Sequence, residues 1–295
     1  MTTVIVLLSA LLCAVFGKYY KTSGNLSLWD MIPDDEPLVY KGCSKIEKRR
    51  NNTGELGICY GEDTTWASYP YMVALRYPSG SSCCTGAIIE LSPFGKILTA
   101  AHCSVCSGPA IIGCNDPANC DGVAFTVASR LNHPLYTGNI ANGYDVAVLT
   151  LATEINIPGA TAISIPSFEE TEVSVRLTGY GPTESGFIPT QLQTGLTTSI
   201  GQGVCNEQML GIVTITDTMY CVTAGALEGG NGVTACGTDA GGPIVYDNQI
   251  YGVNSFTIVG SGSPQCDGYC YCCSGFPQVG SNVAVLSPWI LTQIN

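Results

Sequence analysis

His102 is one of only two histidines in the chain, and it lies between an apolar run and a cysteine in residues 97–103 (ILTAAHC). An imidazole is the side chain whose ordinary pKa suits proton transfer near neutral pH. Asp145 begins the apolar segment 145–149 (DVAVL), which predicts a buried carboxylate. A buried carboxylate needs a hydrogen-bond partner, and an imidazole N–H is a suitable donor. The two residues therefore indicate a histidine base oriented by an aspartate.

A third segment with chemical potential is the glycine-dense turn at residues 236–243 (CGTDAGGP). With it, the chain resembles the chymotrypsin/trypsin family of serine proteases, through residues 99–103, 145–149 and 237–243. The segments occur in the family's order, with 43 residues from His102 to Asp145 and 95 from Asp145 to Ala240. The resemblance extends over residues 58–295 and includes 69–75 as a first strand, His133-Pro134, 255–256 and 288–290. His133 is interpreted as structural.

The resemblance implies a role for each residue of the site. In this family a serine attacks the carbonyl, a histidine takes its proton, and a buried aspartate fixes the imidazole tautomer. His102 is then the base and Asp145 the orienting residue, while Ala240 occupies the nucleophile position. A methyl group cannot attack, and loss of such a nucleophile costs about 10⁶ in rate, or about 8 kcal/mol. The hydroxyl of Thr238 is not expected to substitute, so the sequence predicts no competent protease.

Two further parts of the implied site depart from the family. The oxyanion hole would use the backbone N–H groups of Thr238 and Ala240, and Thr238 replaces a glycine whose conformational freedom a β-branched residue lacks. The specificity pocket would have Thr234 at its floor and small residues on its walls. Its wall and rim positions are held by Ser255, Thr257 and Gln278. Gln278 would fill the pocket, unless a local gap shifts the alignment by one or two residues.

Only part of the family's activation site is present in this sequence. Family members are cleaved before an Ile whose new ammonium pairs with the Asp preceding the nucleophile, which implies Ile58 and Asp239 here. However, Gly57 precedes Ile58 where a trypsin-type activator needs Lys or Arg. A Ser-to-Ala exchange made to trap a substrate would also explain Ala240. The additional departures at Thr238, Gln278 and Gly57 favour natural loss of activity.

The segments that must position these residues have the sequence pattern of β-strands. Apolar residues make up 45% of the 295-residue chain and charged residues 12%, which excludes disorder. Short runs rich in Val, Ile, Thr and Tyr, separated by turn formers, predict strands. These runs are 71–75, 87–91, 123–128, 146–151, 173–177, 211–215, 243–246 and 283–286, and only 288–294 suggests a helix.

The pattern predicts an all-β protein, and the resemblance implies two six-stranded antiparallel β-barrels with a short C-terminal helix. We expect the N-terminal barrel in residues 58–165 and the C-terminal barrel with its helix in residues 166–295. The catalytic cleft would lie between the barrels.

The N-terminal region predicts secretion. Residues 4–16 form an apolar run too short to span a bilayer and end near small residues, so residues 1–17 are interpreted as a signal peptide. Residues 18–57 carry two glycosylation sequons, at Asn25 and Asn51, and the basic run 48–50 (KRR). We interpret them as a pro-segment, although an exposed leader would have the same composition. No later apolar run is long enough to anchor the chain, so we expect a secreted, extracellular protein.

The charge distribution restricts the partners. The formal net charge is −12, and residues from 58 onward contain 4 basic and 17 acidic side chains. Such an acidic body lacks the basic surface that nucleic acid or an anionic membrane requires. We therefore expect neither as a partner.

Sixteen cysteines suit an oxidising, extracellular location. The resemblance implies the disulfides Cys84–Cys103, Cys205–Cys221 and Cys236–Cys266. Without Cys13, which lies in the signal peptide, an odd number remains, so one cysteine would be free or form an intermolecular disulfide. Cysteine clusters such as 270–273 are interpreted as disulfides rather than thiolate metal sites, and no metal or cofactor is predicted.

Three function hypotheses follow. The first is a secreted pseudoprotease that binds a protein or peptide ligand in the inter-barrel cleft. The second is an active serine endopeptidase in which Ala240 replaces the natural serine as a trap. The third is a disulfide-linked extracellular structural protein. The identity of residue 240 in the gene separates the first two, and discrete monomers on non-reducing gels would weaken the third.

Overall fold

The structure is a computed structural model, and it describes residues 58, 61–117, 119–182, 188–223, 233–258 and 276–294. These residues belong to one compact unit built from two antiparallel sheets. The strands are β1 (Glu62–Thr64), β2 (Met72–Arg76), β3 (Ser82–Glu90), β4 (Lys96–Thr99), β5 (Ala110–Ile112), β6 (Val123–Phe125), β7 (Val127–Asn132), β8 (Ala147–Leu151), β9 (Ser174–Gly179), β10 (Leu192–Ile200), β11 (Met219–Val222), β12 (Pro243–Tyr246), β13 (Gln249–Thr257) and β14 (Gln278–Asn282). Two α-helices follow strands, α1 (Gln202–Gln208) and α2 (Val283–Leu291).

The N-terminal sheet has the strand order β6-β5-β2-β3-β4-β8-β7. Its two ends, β6 and β7, do not pair with each other among the described residues, so this sheet is a half-barrel. Every side chain of β2 is buried, and neighbouring apolar side chains from β3, β4 and β8 pack against it. This core holds β4 and β8 together; β4 ends three residues before His102, and β8 begins two residues after Asp145.

The C-terminal sheet has the order β1-β10-β11-β14-β13-β12-β9, and β9 also pairs with β10. That extra pairing closes six strands into a barrel, and β1 adds to its outside through β10. The expected chymotrypsin-like, all-β class is confirmed. The two expected barrels are present as one closed six-stranded barrel and one half-barrel, and β1, at the start of the described chain, joins the C-terminal sheet.

Two predicted strands are wrong, and the first is 211–215. The backbone there turns through positive φ at Leu210 and Gly211, which breaks an extended run. The backbone N–H of Ile215 donates to Oδ1 of Asn206 at 2.8 Å, and its carbonyl accepts from side chains of α1. These bonds replace the sheet ladder that the apolar pattern suggested.

The second wrong strand is 283–286, which forms the first turn of α2. Asn282 caps this helix, because its side-chain oxygen accepts from the N–H of Val285 at 3.3 Å. The helix predicted over 288–294 therefore begins five residues earlier, and Pro288 lies inside it. Pro288 has no N–H for the carbonyl of Ala284, and the hydroxyl of Ser287 donates to that carbonyl instead, at 2.8 Å. None of the helices in the described ranges has the length and apolar character of a membrane span.

Candidate active site

The centre of the candidate site is a buried pair, His102 and Asp145. His102 lies in a short 3-10 helix (Ala101–Val105) one residue after β4, and Asp145 lies two residues before the start of β8. Because Thr99 pairs with Ala147 in the sheet, the two residues come together. His102 Nδ1 lies 2.6 Å from Oδ2 of Asp145, and the His102 backbone N–H donates to Oδ1 at 2.8 Å. The carboxylate therefore fixes both the ring and the backbone of the histidine.

Asp145 is held from the C-terminal barrel as well. The hydroxyl of Ser255, in β13, donates to Asp145 Oδ2 at 2.5 Å, and the hydroxyl of Ser281, in β14, donates to its carbonyl at 2.7 Å. Burial raises the pKa of the Asp145 carboxyl, but the charge and hydrogen bond of His102 and the bond from Ser255 outweigh it. The pKa of Asp145 consequently lies below its ordinary value, and the group is a carboxylate near neutral pH.

The aromatic ring of His133 supports the same loop. It stacks on Tyr144 with 4.9 Å between ring centroids and meets Trp289 of α2 edge-on at 4.8 Å. Tyr144 has a positive φ of 59°, an uncommon conformation for a bulky residue, next to Asp145 in the chain. His133 packs between the loop that carries Asp145 and the C-terminal helix, a position that agrees with the structural role expected for it.

Ala240 lies at the end of a 3-10 turn, Gly237–Asp239, which contacts β3 of the N-terminal sheet. Its carbonyl accepts from the Thr85 N–H at 2.8 Å, and the sulfur of Cys103 lies 3.6 Å from the same carbonyl. The position is thus brought against the loop that carries His102. It offers only a methyl group. The Thr238 hydroxyl is buried without a hydrogen-bond partner in the described chain, so His102 does not activate it.

The expected oxyanion hole is closed by the turn itself. The backbone N–H of Ala240 donates to the carbonyl of Gly237 at 3.1 Å, as the 3-10 turn requires. This N–H is therefore already bonded within the turn. The positive φ falls on Gly237, at 50°, and Thr238 has no positive φ. The expected conformational conflict at Thr238 does not arise, because the neighbouring glycine takes the left-handed conformation.

Gln278 crosses the space where the specificity pocket was expected. It is 3% exposed. Its Oε1 accepts from the Ala235 N–H at 2.9 Å, and its Nε2 donates to Oδ1 of Asn254 at 2.8 Å. One side chain thus links the loop after Thr234 to β13. Thr234 and Ser255 are buried and Thr257 is half-buried around it, so the structure brings all four expected pocket residues together.

Ile58 and Asp239 are both fully buried. Ile58 packs into the core of the C-terminal barrel with Val175 and Leu177 among others. The Asp239 carboxylate accepts from the backbone N–H groups of Gly181, at 2.6 Å, and Cys236, at 2.9 Å, and also from that of Tyr180. No cation pairs with Asp239 among the described residues. Burial raises the pKa of Asp239 to about 7, against the lowering effect of these three hydrogen bonds.

Disulfides surround the histidine loop. Cys84 pairs with Cys103 and, in addition, the adjacent Cys83 pairs with Cys106. Cys205 pairs with Cys221, and Cys114 with Cys120. Cys236 is disulfide-bonded, but its expected partner Cys266 lies outside the described residues, as do Cys43, Cys59 and 270–273.

These bonds also bear on metal binding. The groups of potential metal ligands among the described residues are Cys83, Cys84 and Cys106, and Cys84, His102 and Cys103. All of the cysteines in them are disulfide-bonded, so they offer no thiolates. We therefore assign no metal to this site.

Two residues that contribute to the site were not found by sequence reasoning, Asn254 and Ser281. Asn254 is the buried partner of Gln278, and Ser281 holds the backbone of Asp145. Both lie on ordinary β-strands without a motif around them. The polarity of Asn254 among apolar neighbours in β13 was an available signal, whereas Ser281 lies in the largely polar β14 and gave none.

Comparison with known proteins agrees with this geometry. The trypsin family model matches residues 58–290. The chain is 30% identical to trypsin alpha of Drosophila melanogaster over 243 residues, which cover 80% of this chain and 86% of that protein. It is 31% identical to the trypsin Tyr p 3.0101 of Tyrophagus putrescentiae over 257 residues, covering 83% of each chain.

A similar solved structure is neuropsin, a serine protease expressed in mouse brain. It has a TM-score of 0.65 and 21% sequence identity, and the match covers 80% of this chain and 99% of that one. This likeness concerns the fold. Together, the fold and the arrangement around His102 define the class as a chymotrypsin-like serine protease scaffold. The chain belongs to the trypsin family.

Proposed function

We propose that this trypsin-family chain is a secreted pseudoprotease, which does not hydrolyse peptide bonds and binds a protein or peptide ligand in its inter-barrel cleft. The observation that carries the proposal is Ala240, a residue without a nucleophilic atom, beside a His102–Asp145 pair that is otherwise in catalytic geometry. Loss of such a nucleophile costs about 10⁶ in rate. The secreted location rests on the apolar N-terminal run and on the disulfides.

One further feature supports natural inactivity over a trapping substitution. A Ser-to-Ala exchange alone would leave the pocket open, whereas here Gln278 spans it. This feature does not depend on the side chain of residue 240.

The partner we favour is an extended peptide segment. β12 covers one edge of β13 only as far as the pair Pro243–Val253, so residues 255–257 lack a strand partner on that side among the described residues. Extended peptides add to such edges through main-chain hydrogen bonds. With Gln278 in the pocket, a ligand would bind through its backbone and not through one deeply inserted side chain.

The first test is Ala240→Ser in the secreted full chain, assayed with a fluorophosphonate label and small chromogenic peptides. The occupied Ala240 N–H alone predicts a deficit of about 10²–10³ in turnover, so we expect trace activity. Stoichiometric labelling with fast cleavage by Ala240→Ser would overturn the proposed inactivity.

The second test concerns ligand binding. Thr257→Arg places a long side chain on the open edge of β13. Thr153→Arg, beyond the end of β8 distant from Asp145, adds the same charge elsewhere and is the matched control. We expect peptides captured by the mature protein from a random library to lose at least tenfold in affinity with Thr257→Arg and to keep it with Thr153→Arg. Equal retention by both variants would refute binding at this edge.

A further inference from the structure

A second potential binding site lies between residues 68–71, which precede β2, and the C-terminal barrel, apart from the His102 network. It is a cavity of about 270 Å³, here called the Tyr71 cavity, and it shares no residue with the catalytic site or the pocket. Tyr69, Tyr71 and Arg176 line it together with Leu196, Tyr246 and Asp247. Its volume is below that of typical drug-sized pockets, so it suits a ligand of about ten non-hydrogen atoms.

Tyr71 provides the observation that points to a ligand. The side chain is only 5% exposed, and its phenol hydroxyl has no hydrogen-bond partner among the described residues. The hydroxyl oxygen is not among the fully buried atoms that lack a partner, so it is accessible from the cavity that the side chain lines. Burial raises the pKa of Tyr71, which keeps the phenol protonated. The cavity therefore contains an unused O–H donor.

Arg176 supplies the second donor. Its guanidinium lies 5.8 Å from the centroid of the Tyr69 ring, and Nη1 donates to Oγ1 of Thr194 at 3.3 Å. No carboxylate lies within ion-pair distance of Arg176 in the part of the chain that the structure describes. A guanidinium has five N–H donors, so most of them remain for a ligand. A cation without a counter-ion is notable in a body with 17 acidic and 4 basic residues.

We infer that the Tyr71 cavity binds a small organic monocarboxylate with a flat apolar body. The carboxylate would accept from the Tyr71 hydroxyl and the Arg176 guanidinium, two donors of the kind that recognise a charged planar acceptor. The rings of Tyr69 and Tyr246, together with Leu196, would contact the apolar body. Asp247 lines the same cavity, and its negative charge repels a dianion such as sulfate about twice as strongly as it repels a monocarboxylate.

In the experiment, phenylacetate is titrated into the secreted full chain, and binding is measured from the NMR chemical shifts of the protein. A ligand of this size is expected to bind with a dissociation constant on the order of 1 mM. Phenylacetamide, the neutral isostere, should bind at least tenfold more weakly, and sulfate should not compete. Equal binding of phenylacetate and phenylacetamide would overturn the proposal.

Tyr71→Phe removes only the hydroxyl and is the decisive variant. We expect phenylacetate affinity to fall about tenfold, the usual effect of a hydrogen bond to a charged group. Because the hydroxyl is unpaired without ligand, the free variant should melt no lower than the parent chain. Arg176→Gln should weaken binding further, whereas Tyr77→Phe, at an exposed tyrosine outside the cavity, should leave it unchanged. Unchanged phenylacetate affinity in Tyr71→Phe would refute the site.

Discussion

Gln278 should be a stabilising residue of this fold, and Gln278→Ala tests that. The side chain is buried and makes two hydrogen bonds, one from the Ala235 N–H at 2.9 Å and one to Asn254 at 2.8 Å. Truncation removes both bonds at once. It leaves the Ala235 N–H and the Asn254 Oδ1 without a protein partner inside the barrel.

The magnitude follows from those two groups. Each unsatisfied buried donor or acceptor costs about 1–3 kcal/mol, and water that enters the vacated space recovers part of this. We therefore expect Gln278→Ala to lower the free energy of unfolding by about 2–4 kcal/mol. For a domain of this size, each kcal/mol shifts the melting temperature by about 2–4 °C, so a decrease of roughly 5–15 °C is predicted.

The assay is denaturant unfolding at neutral pH with disulfides intact, on Gln278→Ala and on Gln278→Leu, Asn254→Leu and the combination of the last two. The double replacement removes both polar partners and keeps apolar volume, so it should be more stable than the sum of the single effects by about 1–2 kcal/mol. A loss below about 0.5 kcal/mol in Gln278→Ala would refute the reasoning. Gln278 would then be a passive occupant of an already solvated pocket.

Three other predictions concern groups around the site. The pKa of Asp239 is raised from 3.8 to about 7, so its contribution to stability is present at low pH and lost as the pH rises from about 4 to 7, by up to about 4 kcal/mol. A carboxyl ¹³C titration of the uncleaved chain should show its midpoint near 7, and a midpoint below 4 would contradict this. Burial lowers the pKa of His133, so the wild-type fold should lose stability as the pH falls below about 6.5. The variant His133→Phe keeps a ring between Tyr144 and Trp289 and should lose less stability between pH 7 and 5. Joint replacement of Cys83 and Cys106 by Ala opens a bond that encloses the intact Cys84–Cys103 bond. The additional loop is therefore only about six residues, and the change should cost about 2 kcal/mol in thermal unfolding; a change under 0.5 kcal/mol would show that the Cys84–Cys103 bond suffices.

The sequence predicted the parts of the site that depend on local motifs. His102 and Asp145 follow and precede apolar strands whose pairing the fold class requires, so their meeting was predictable once the class was inferred. The turn at 236–243 was predictable for the same reason, since its glycines mark the close approach of backbone to β3. The barrel strand 243–246 was found with the bounds that β12 has.

Other features depend on contacts that no local pattern encodes. Periodicity does not distinguish a four-residue apolar strand from a helix turn, and the Asn282 cap decided the state of 283–286. The segment 211–215 is apolar, but side chains of α1 satisfy its backbone. The hydrogen bond from the Ala240 N–H to the Gly237 carbonyl depends on how one peptide plane is oriented, and the residue types in the turn do not determine that orientation. The pairing of Gln278 with Asn254 joins residues on neighbouring strands, 24 positions apart.

The persistence of the His102–Asp145 pair in a chain without a nucleophile has a physical cause other than catalysis. Asp145 is 1% exposed, and its two carboxylate oxygens accept from His102 and Ser255. Removing one partner of such a buried charged pair costs about 3–5 kcal/mol, because the remaining charge is left uncompensated. That is a large fraction of the 5–15 kcal/mol by which a typical domain is stable. Ala240, in contrast, leaves no buried charge unpaired. Replacement at the nucleophile position is therefore the change in the triad that leaves no buried charge uncompensated, and the His102–Asp145 pair stabilises this fold whether or not the chain is active.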